Sequence, residues 1–326
     1  LETIYFGGGT PSLLPTSAIA QVLNTLAKTF IISHDVEITI ETNPDDITNE
    51  LLTGYKSAGV NRLSLGIQSF IDQDLLFLGR RHSAAAAEKA IEVSLDLGFD
   101  NISIDLIYGL PESTIDSWEY NLKKAFSLDI KHLSCYHLTY EEGTVLTRRL
   151  NNSKIHAVDE SISVQQFNLL RDISNQNGFI HYEVSNFAKE GFYSRHNTSY
   201  WQGVHYLGLG PAAHSYNGLK REWNPNAYRE WEAGIETKKP STQSEVIDKR
   251  MQFNEYLLTH LRTIWGVDIS MLRREFEQSM IDHLTMSAKR YINTGRLVLK
   301  NNHLAIPPEY FFISDGIIED LIIVEE

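Results

Sequence analysis

Short runs of apolar and β-branched residues alternate with helical patterns through the first two-thirds of the chain. Runs at 3–6, 36–42, 62–66, 101–108 and 132–138 read as strands, with a further one at 181–186. Between the first two, Ile19, Val22, Leu23, Leu26 and Phe30 recur at helical spacing behind Ser17. Ser83 through Leu97 repeats the pattern and Gly98 stops it; residues 114–127 and 160–177 supply two more helices. A helix N-terminus follows Asn43-Pro44, where Thr48 precedes Leu51 and Leu52 and Gly59 closes the turn. Strand and helix in alternation predict βα units and a mainly parallel sheet, an α/β fold.

The pattern changes from about residue 245. Two amphipathic helices, roughly 247–263 and 269–293, lead to a hairpin formed by Arg296–Leu299 and His303–Ile306 around Asn301-Asn302. Helices followed by a hairpin resemble a small winged-helix-like module. Lys238-Lys239-Pro240-Ser241 reads as the linker before it, so the expected division is 1–240 and 241–326.

With 326 residues, 42% apolar and 22% charged, the chain is long enough to bury a full core. Its longest apolar stretches are broken by charges well short of the roughly 20 residues of a membrane span, and no signal-peptide pattern opens it. A cytoplasmic protein is expected. The net charge of −13 opposes phosphate neutralisation, and Lys and Arg are scattered. No nucleic acid is therefore expected as a partner, and the winged module is expected to act as a structural lid. Cys135 is the single cysteine, which leaves no internal disulfide, no cysteine zinc site and no three-cysteine cluster motif. The start on Leu1, followed at once by the strand-like Thr3-Ile4-Tyr5-Phe6, reads as the opening of a fragment.

Several residues could carry chemistry. Gly7-Gly8-Gly9-Thr10-Pro11 comes off a strand toward a helix, where glycines let a ligand approach the backbone; a simple tight turn accounts for it equally well. Glu41, Gln68 and Asp105 stand at the ends or in the interior of otherwise apolar strands, and such polar groups need partners once buried. Each alone reads as a satisfied structural residue, whereas together they favour a site. Arg80 could pair with a carboxylate or be a solvated surface arginine.

Tyr5-Phe6-Gly7-Gly8-Gly9-Thr10-Pro11-Ser12, Glu41-Thr42-Asn43-Pro44, Ser64-Leu65-Gly66-Ile67-Gln68-Ser69 and Asp105-Leu106-Ile107-Tyr108-Gly109-Leu110-Pro111 resemble, in order and spacing, the cofactor motifs of radical S-adenosylmethionine (SAM) proteins. The resemblance is to the group of haem chaperones and coproporphyrinogen oxidases and covers nearly the whole chain. It implies an incomplete (β/α)6 TIM-like barrel, a [4Fe–4S] cluster and SAM. Gly8 and Glu41 would face the SAM that caps the cluster. Gly9, Thr10, Gln68, Arg80 and Asp105 fall where the oxidases hold a second SAM.

His196-Asn197-Thr198-Ser199-Tyr200-Trp201 resembles the haem motif of HemW-type haem chaperones. This makes His196, with Asn197, Tyr200 and Trp201, the expected haem contacts and His196 the expected iron ligand. His181, His205 and His214 compete for that role. The resemblance implies a chaperone that binds haem and transfers it to an acceptor protein, touching membrane only through that acceptor. The alternatives left open are an oxygen-independent coproporphyrinogen III oxidase and a pure binding scaffold that no longer uses SAM. Family members carry a Cys-x3-Cys-x2-Cys loop before the Gly-Gly-Gly-Thr-Pro strand, and this chain has none. The chain as it stands is expected to be catalytically inert, with the sheet open beside residues 3–6.

Overall fold

The computed structural model describes residues 1–324. The chain separates into two compact units, Leu1–His196 and Asn197–Glu326, taken here one at a time.

The first unit is built on a seven-stranded sheet. Its elements run β1 (Thr3–Phe6), α1 (Thr16–Thr29), β2 (Glu37–Thr42), α2 (Asn49–Ala58), β3 (Arg62–Gln68), α3 (Asp72–Phe77), α4 (Ala84–Asp96), β4 (Asn101–Tyr108), α5 (Ile115–Ser127), β5 (His132–His137), α6 (Val145–Asn151), α7 (Glu160–Gln176), β6 (Ile180–Glu183), β7 (Asn186–Ala188) and the start of α8 (Arg195–Trp201). The spatial order is β1-β2-β3-β4-β5-β7-β6. β1 to β5 are parallel. Among the described strands β1 pairs with β2 alone, so that edge of the sheet is open.

The α/β expectation and its incomplete barrel hold, with one difference at the far edge. The run at 181–186 is two strands. The chain turns at Val184-Ser185 and returns as β7, which pairs antiparallel with both β5 and β6. Glu183 accepts the Ser185 N–H at 3.2 Å, and Cys135 donates its N–H to the Ser185 carbonyl at 2.8 Å. These bonds close the turn inside a stretch whose residues still look strand-like.

Side chains alternate across the strands. One face carries Ile38, Ile40, Leu63, Leu65, Ile67, Ile102, Ile104, Leu106 and Leu133, all buried. Each such side chain contributes about 1.5–3 kcal/mol on burial. The other face carries Tyr5, Glu37, Thr39, Glu41, Arg62, Ser64, Ser103, Asp105, His132 and Ser134. Parallel sheets are ordinarily apolar on both faces, so this polar face needs a reason other than folding. Caps fix the helices of this unit: Thr48 accepts from Leu51 N–H at 3.1 Å, Ser83 from Ala86 N–H at 3.2 Å, and Thr114 forms a capping box with Ser117.

The second unit begins within α8. It continues with β8 (His214–Tyr216), β9 (Lys220–Trp223), α9 (Tyr228–Glu236) and β10 (Gln243–Val246), whose strands form an antiparallel sheet of order β10-β9-β8. The compact units meet at 196/197, and this sheet carries the chain across 240/241. β10 pairs with β9, Gln243 opposite Trp223, which ties together residues on both sides of the expected linker. Lys238–Ser241 belongs to a tight turn after α9, where Lys239 N–H donates to Gly234 O at 2.9 Å.

The remaining elements are α10 (Lys249–His260), β11 (Val267–Asp268), α11 (Ile269–Glu275), α12 (Gln278–Asn293), β12 (Val298–Lys300), β13 (His303–Ala305) and α13 (Ser314–Glu319). The helix expected over 269–293 breaks between Glu275 and Gln278. Asn301 and Asn302, at φ 50° and 66°, form the hairpin turn, a conformation that asparagine tolerates. Strands order as β11-β13-β12, giving the helix-and-wing arrangement expected of this module. No helix among the described residues is long and apolar enough to cross a membrane.

Candidate functional site

Glu41 is the hub of the polar face. Its carboxylate accepts the Tyr5 hydroxyl at 2.6 Å and the Gly8 N–H at 3.1 Å. Burial, with Glu41's charge next, pushes the Tyr5 hydroxyl far above its usual pKa, so it remains a donor. Gly7 leaves room for this contact. A Cβ there would lie 2.4 Å from Tyr5 Cε1 and 2.9 Å from Glu41 Oε1. Gly8 and Gly9 take φ of 74° and 61°, and nothing lies within 4 Å of where their Cβ atoms would be. The loop therefore offers exposed backbone. Thr10 follows on it and accepts Leu13 N–H through its carbonyl at 3.2 Å.

Asp105 is the second carboxylate of this face. Burial raises its pKa to about 6; the Ser134 hydrogen bond opposes, Glu41's charge adds to the rise, and Arg62 and Ser64 lower it. Ser64 Oγ reaches its carboxylate at 3.5 Å. Arg62 is 2% exposed, and its Nε has no hydrogen-bond partner among the described residues. Gln68 ends β3 at φ 70°, a left-handed conformation uncommon outside glycine, with its side chain buried. A Cβ on Gly66 would lie 3.0 Å from Gln68 Nε2.

Arg80 is half-buried. Burial lowers its pKa, while Asp105 and Asp45 work against that shift. Its segment is pinned by its neighbours. Arg81 Nε lies 3.0 Å from Asp45, and His82 bridges Asp45 at 3.3 Å and the Ile67 carbonyl at 3.0 Å. Gly8 and Glu41 are thus joined by a hydrogen bond, and Glu41, Asp105 and Arg80 form an electrostatic chain. Gly9 and Thr10 share the loop but hydrogen-bond to none of the others among the described residues.

His196 stands against the same face. Its Nδ1 is 2.9 Å from Thr3 Oγ1, and its ring stacks on Tyr5 at 4.7 Å with planes 16° apart. The backbone N–H groups of Arg195 and His196 donate to the Glu37 carboxylate at 3.1 and 2.9 Å. Burial, with Arg62 second, lowers the His196 pKa to about 4, so the imidazole is neutral at pH 7. Asn197, Tyr200 and Trp201 continue α8 in the second unit, where Tyr200 meets Tyr206 edge-on at 4.7 Å.

The competing histidines differ in setting. His181 is buried and stacked on Phe187 at 4.0 Å, its Nε2 lies 3.1 Å from the Val184 carbonyl, and burial lowers its pKa to about 3. His205 lies edge-on to Tyr216, and exposed His214 stacks on Trp223. Thr3, Tyr5, Glu37 and Arg62 were not singled out from the sequence. The available signal was a charged residue heading each of two apolar strands, β2 and β3.

Residues 1–125 match the model of the radical SAM superfamily. Over 323 residues the chain is 30% identical to the haem chaperone HemW of Lactococcus lactis, covering 99% of this chain and 85% of that one. The chain belongs to the HemW family of radical SAM proteins. The HemW of Mycobacterium tuberculosis is 34% identical over 304 residues, 91% of this chain and 77% of that one. Coproporphyrinogen III oxidase HemN from Escherichia coli shares the fold, with a TM-score of 0.84 at 19% identity over 99% of this chain and 78% of that one.

Membership in this family brings SAM and a [4Fe–4S] cluster as cofactors. The polar face fits SAM, since it offers exposed peptide groups at Gly8 and Gly9, a carboxylate acceptor at Glu41 and a guanidinium at Arg80. The described residues do not fit the cluster. Cys135 is buried with its thiol pushed well up by burial, and no group of three or more His, Cys, Asp or Glu among the described residues is arranged to hold a metal.

Proposed function

We propose that this HemW-family protein is a haem chaperone, which binds haem through the segment around His196 and passes it to an acceptor protein. The observation that carries this reading is the His196 imidazole, neutral at pH 7 and stacked on the tyrosine that holds Glu41. A neutral imidazole ligates haem iron. In the tautomer whose Nδ1–H donates to Thr3, the lone pair sits on Nε2. Asn197, Tyr200 and Trp201 supply the polar and aromatic remainder of the haem segment.

The polar face holds the SAM that caps the cluster at Gly8 and Glu41, and offers Gly9, Thr10, Gln68, Arg80 and Asp105 to a second SAM. Glu41 accepts from the amino group of the first, Arg80 pairs with the carboxylate of the second, and Gly8 and Gly9 offer peptide groups. In a full-length protein that carries the cluster, SAM and the cluster would supply one-electron radical chemistry. The work is placed in the cytoplasm, with membrane approached only through the acceptor.

Ferric haem added to the protein is expected to shift its Soret band, and His196→Ala to diminish that shift. Coproporphyrinogen III incubated with the full-length, cluster-reconstituted protein, SAM and reductant is expected to persist. If protoporphyrinogen IX forms in a SAM-dependent reaction, and His196→Ala binds haem as its parent does, the oxidase reading replaces this one.

A further inference from the structure

The second unit holds a half-open cavity of about 440 Å³. That lies within the ~300–1,000 Å³ of small-molecule and cofactor pockets. Tyr200, the tyrosine of the haem motif, is in its wall. Beside it Tyr206 lies edge-on to Tyr200 at 4.7 Å and nearly parallel to Tyr216 at 5.9 Å. Tyr256 and Phe276 complete the aromatic lining. Such walls suit a flat apolar ring.

Two cations also line the cavity. Arg221 is held by Glu255 at 2.9 Å, whereas Lys249 has no carboxylate partner among the described residues and lies over the Phe276 ring. A lysine so placed can receive an anionic group from a ligand.

His260, near the end of α10, lines the same cavity. Its Nδ1 is 3.0 Å from the Tyr256 carbonyl and 3.0 Å from Thr259 Oγ1. A carbonyl only accepts, so Nδ1 carries the proton and the lone pair lies on Nε2. Nε2 has no hydrogen-bond partner among the described residues. A ring nitrogen oriented by an Nδ1–H···O=C bond is the usual arrangement of a metal-ligating histidine.

We infer that this cavity seats the porphyrin ring of haem, with His260 Nε2 as an iron ligand and Lys249 facing a propionate. The inference rests on the haem-chaperone reading and adds to it a seat and an iron ligand within the second unit, outside the HemW motif.

The test is titration of the protein with ferric haem and with metal-free protoporphyrin IX, read by Soret absorbance, electron paramagnetic resonance and fluorescence quenching. His260→Ala is expected to alter the Soret position and iron spin state and to raise the haem Kd roughly tenfold. It should leave protoporphyrin IX binding unchanged, because that ring has no iron to ligate. Met271→Trp, which puts an indole into the same cavity, is expected to weaken both ligands. A parent protein that binds no haem overturns the chaperone reading itself. A parent that binds haem, loses it in His196→Ala and keeps it with an unaltered spectrum in His260→Ala and Met271→Trp preserves that reading and overturns the cavity as the seat.

Discussion

The His196 imidazole lies on the Tyr5 phenol ring, centroids 4.7 Å apart and planes inclined by 16°. The same tyrosine donates its hydroxyl to Glu41, which in turn accepts the Gly8 N–H. One side chain therefore touches both the histidine of the haem motif and the carboxylate assigned to SAM. A change at either end has a direct physical route to the other.

Tyr5→Phe keeps the stacked ring and removes only the hydroxyl. Hydrogen bonds to charged groups contribute roughly 1.5–3 kcal/mol, and the half-buried setting places this one at the lower end. Urea unfolding is expected to show a loss of about 1.5 kcal/mol. A variant as stable as its parent would mean that solvation of Glu41 in the unfolded chain offsets the bond completely.

Glu41→Ala is expected to weaken SAM binding, measured by calorimetry, by about tenfold or more, the equivalent of ~1.4 kcal/mol. The accompanying loss of folding stability should be smaller. If the two losses are equal, Glu41 serves the fold through Tyr5 and Gly8 and has no separate part in the ligand.

Gln68 occupies the left-handed region at φ 70°, which costs a non-glycine residue on the order of 1 kcal/mol. Gln68→Gly relieves that strain and removes a buried amide. Its urea midpoint is expected to equal or exceed that of the parent while SAM affinity falls. A destabilised variant with undiminished SAM affinity would count Gln68 as a packing residue.

Asp105 gives a pH signature. Its pKa is raised to about 6 in the folded protein, against about 3.9 unfolded. The folded state thus binds the proton more readily between those values, and the stability this confers is full below about pH 4 and lost as pH rises through 6. Asp105→Asn should be more stable than the parent at pH 7.5, on the order of 3 kcal/mol by linkage, with the advantage gone at pH 4. His181 and His196, lowered to about 3 and about 4, work in the opposite sense. Their unfolded forms take a proton near pH 6.5 and their folded forms resist it, so stability falls as pH drops below about 6.5. The difference between parent and Asp105→Asn at each pH isolates the carboxylate; a constant difference would place its pKa at the ordinary value.

The sequence by itself determined the alternation of strands and helices, because apolar periodicity and end signals such as Thr48, Gly59 and Ser83 are local. It also determined the order of the SAM and haem motifs and the identity of Glu41, Gln68, Asp105 and His196, since each is a polar residue set in a recognisable string. Only the tertiary structure decided the partners. Thr3 and Tyr5 meet His196 across nearly two hundred residues, and Glu37 holds the start of α8 across a similar span. No periodicity encodes which distant segments share a face. The hairpin at Val184-Ser185 escaped for the same reason, since the hydrogen bond that closes it comes from Cys135, and the β9–β10 pair that carries one sheet across 240/241 is likewise a matter of strand pairing rather than of local composition.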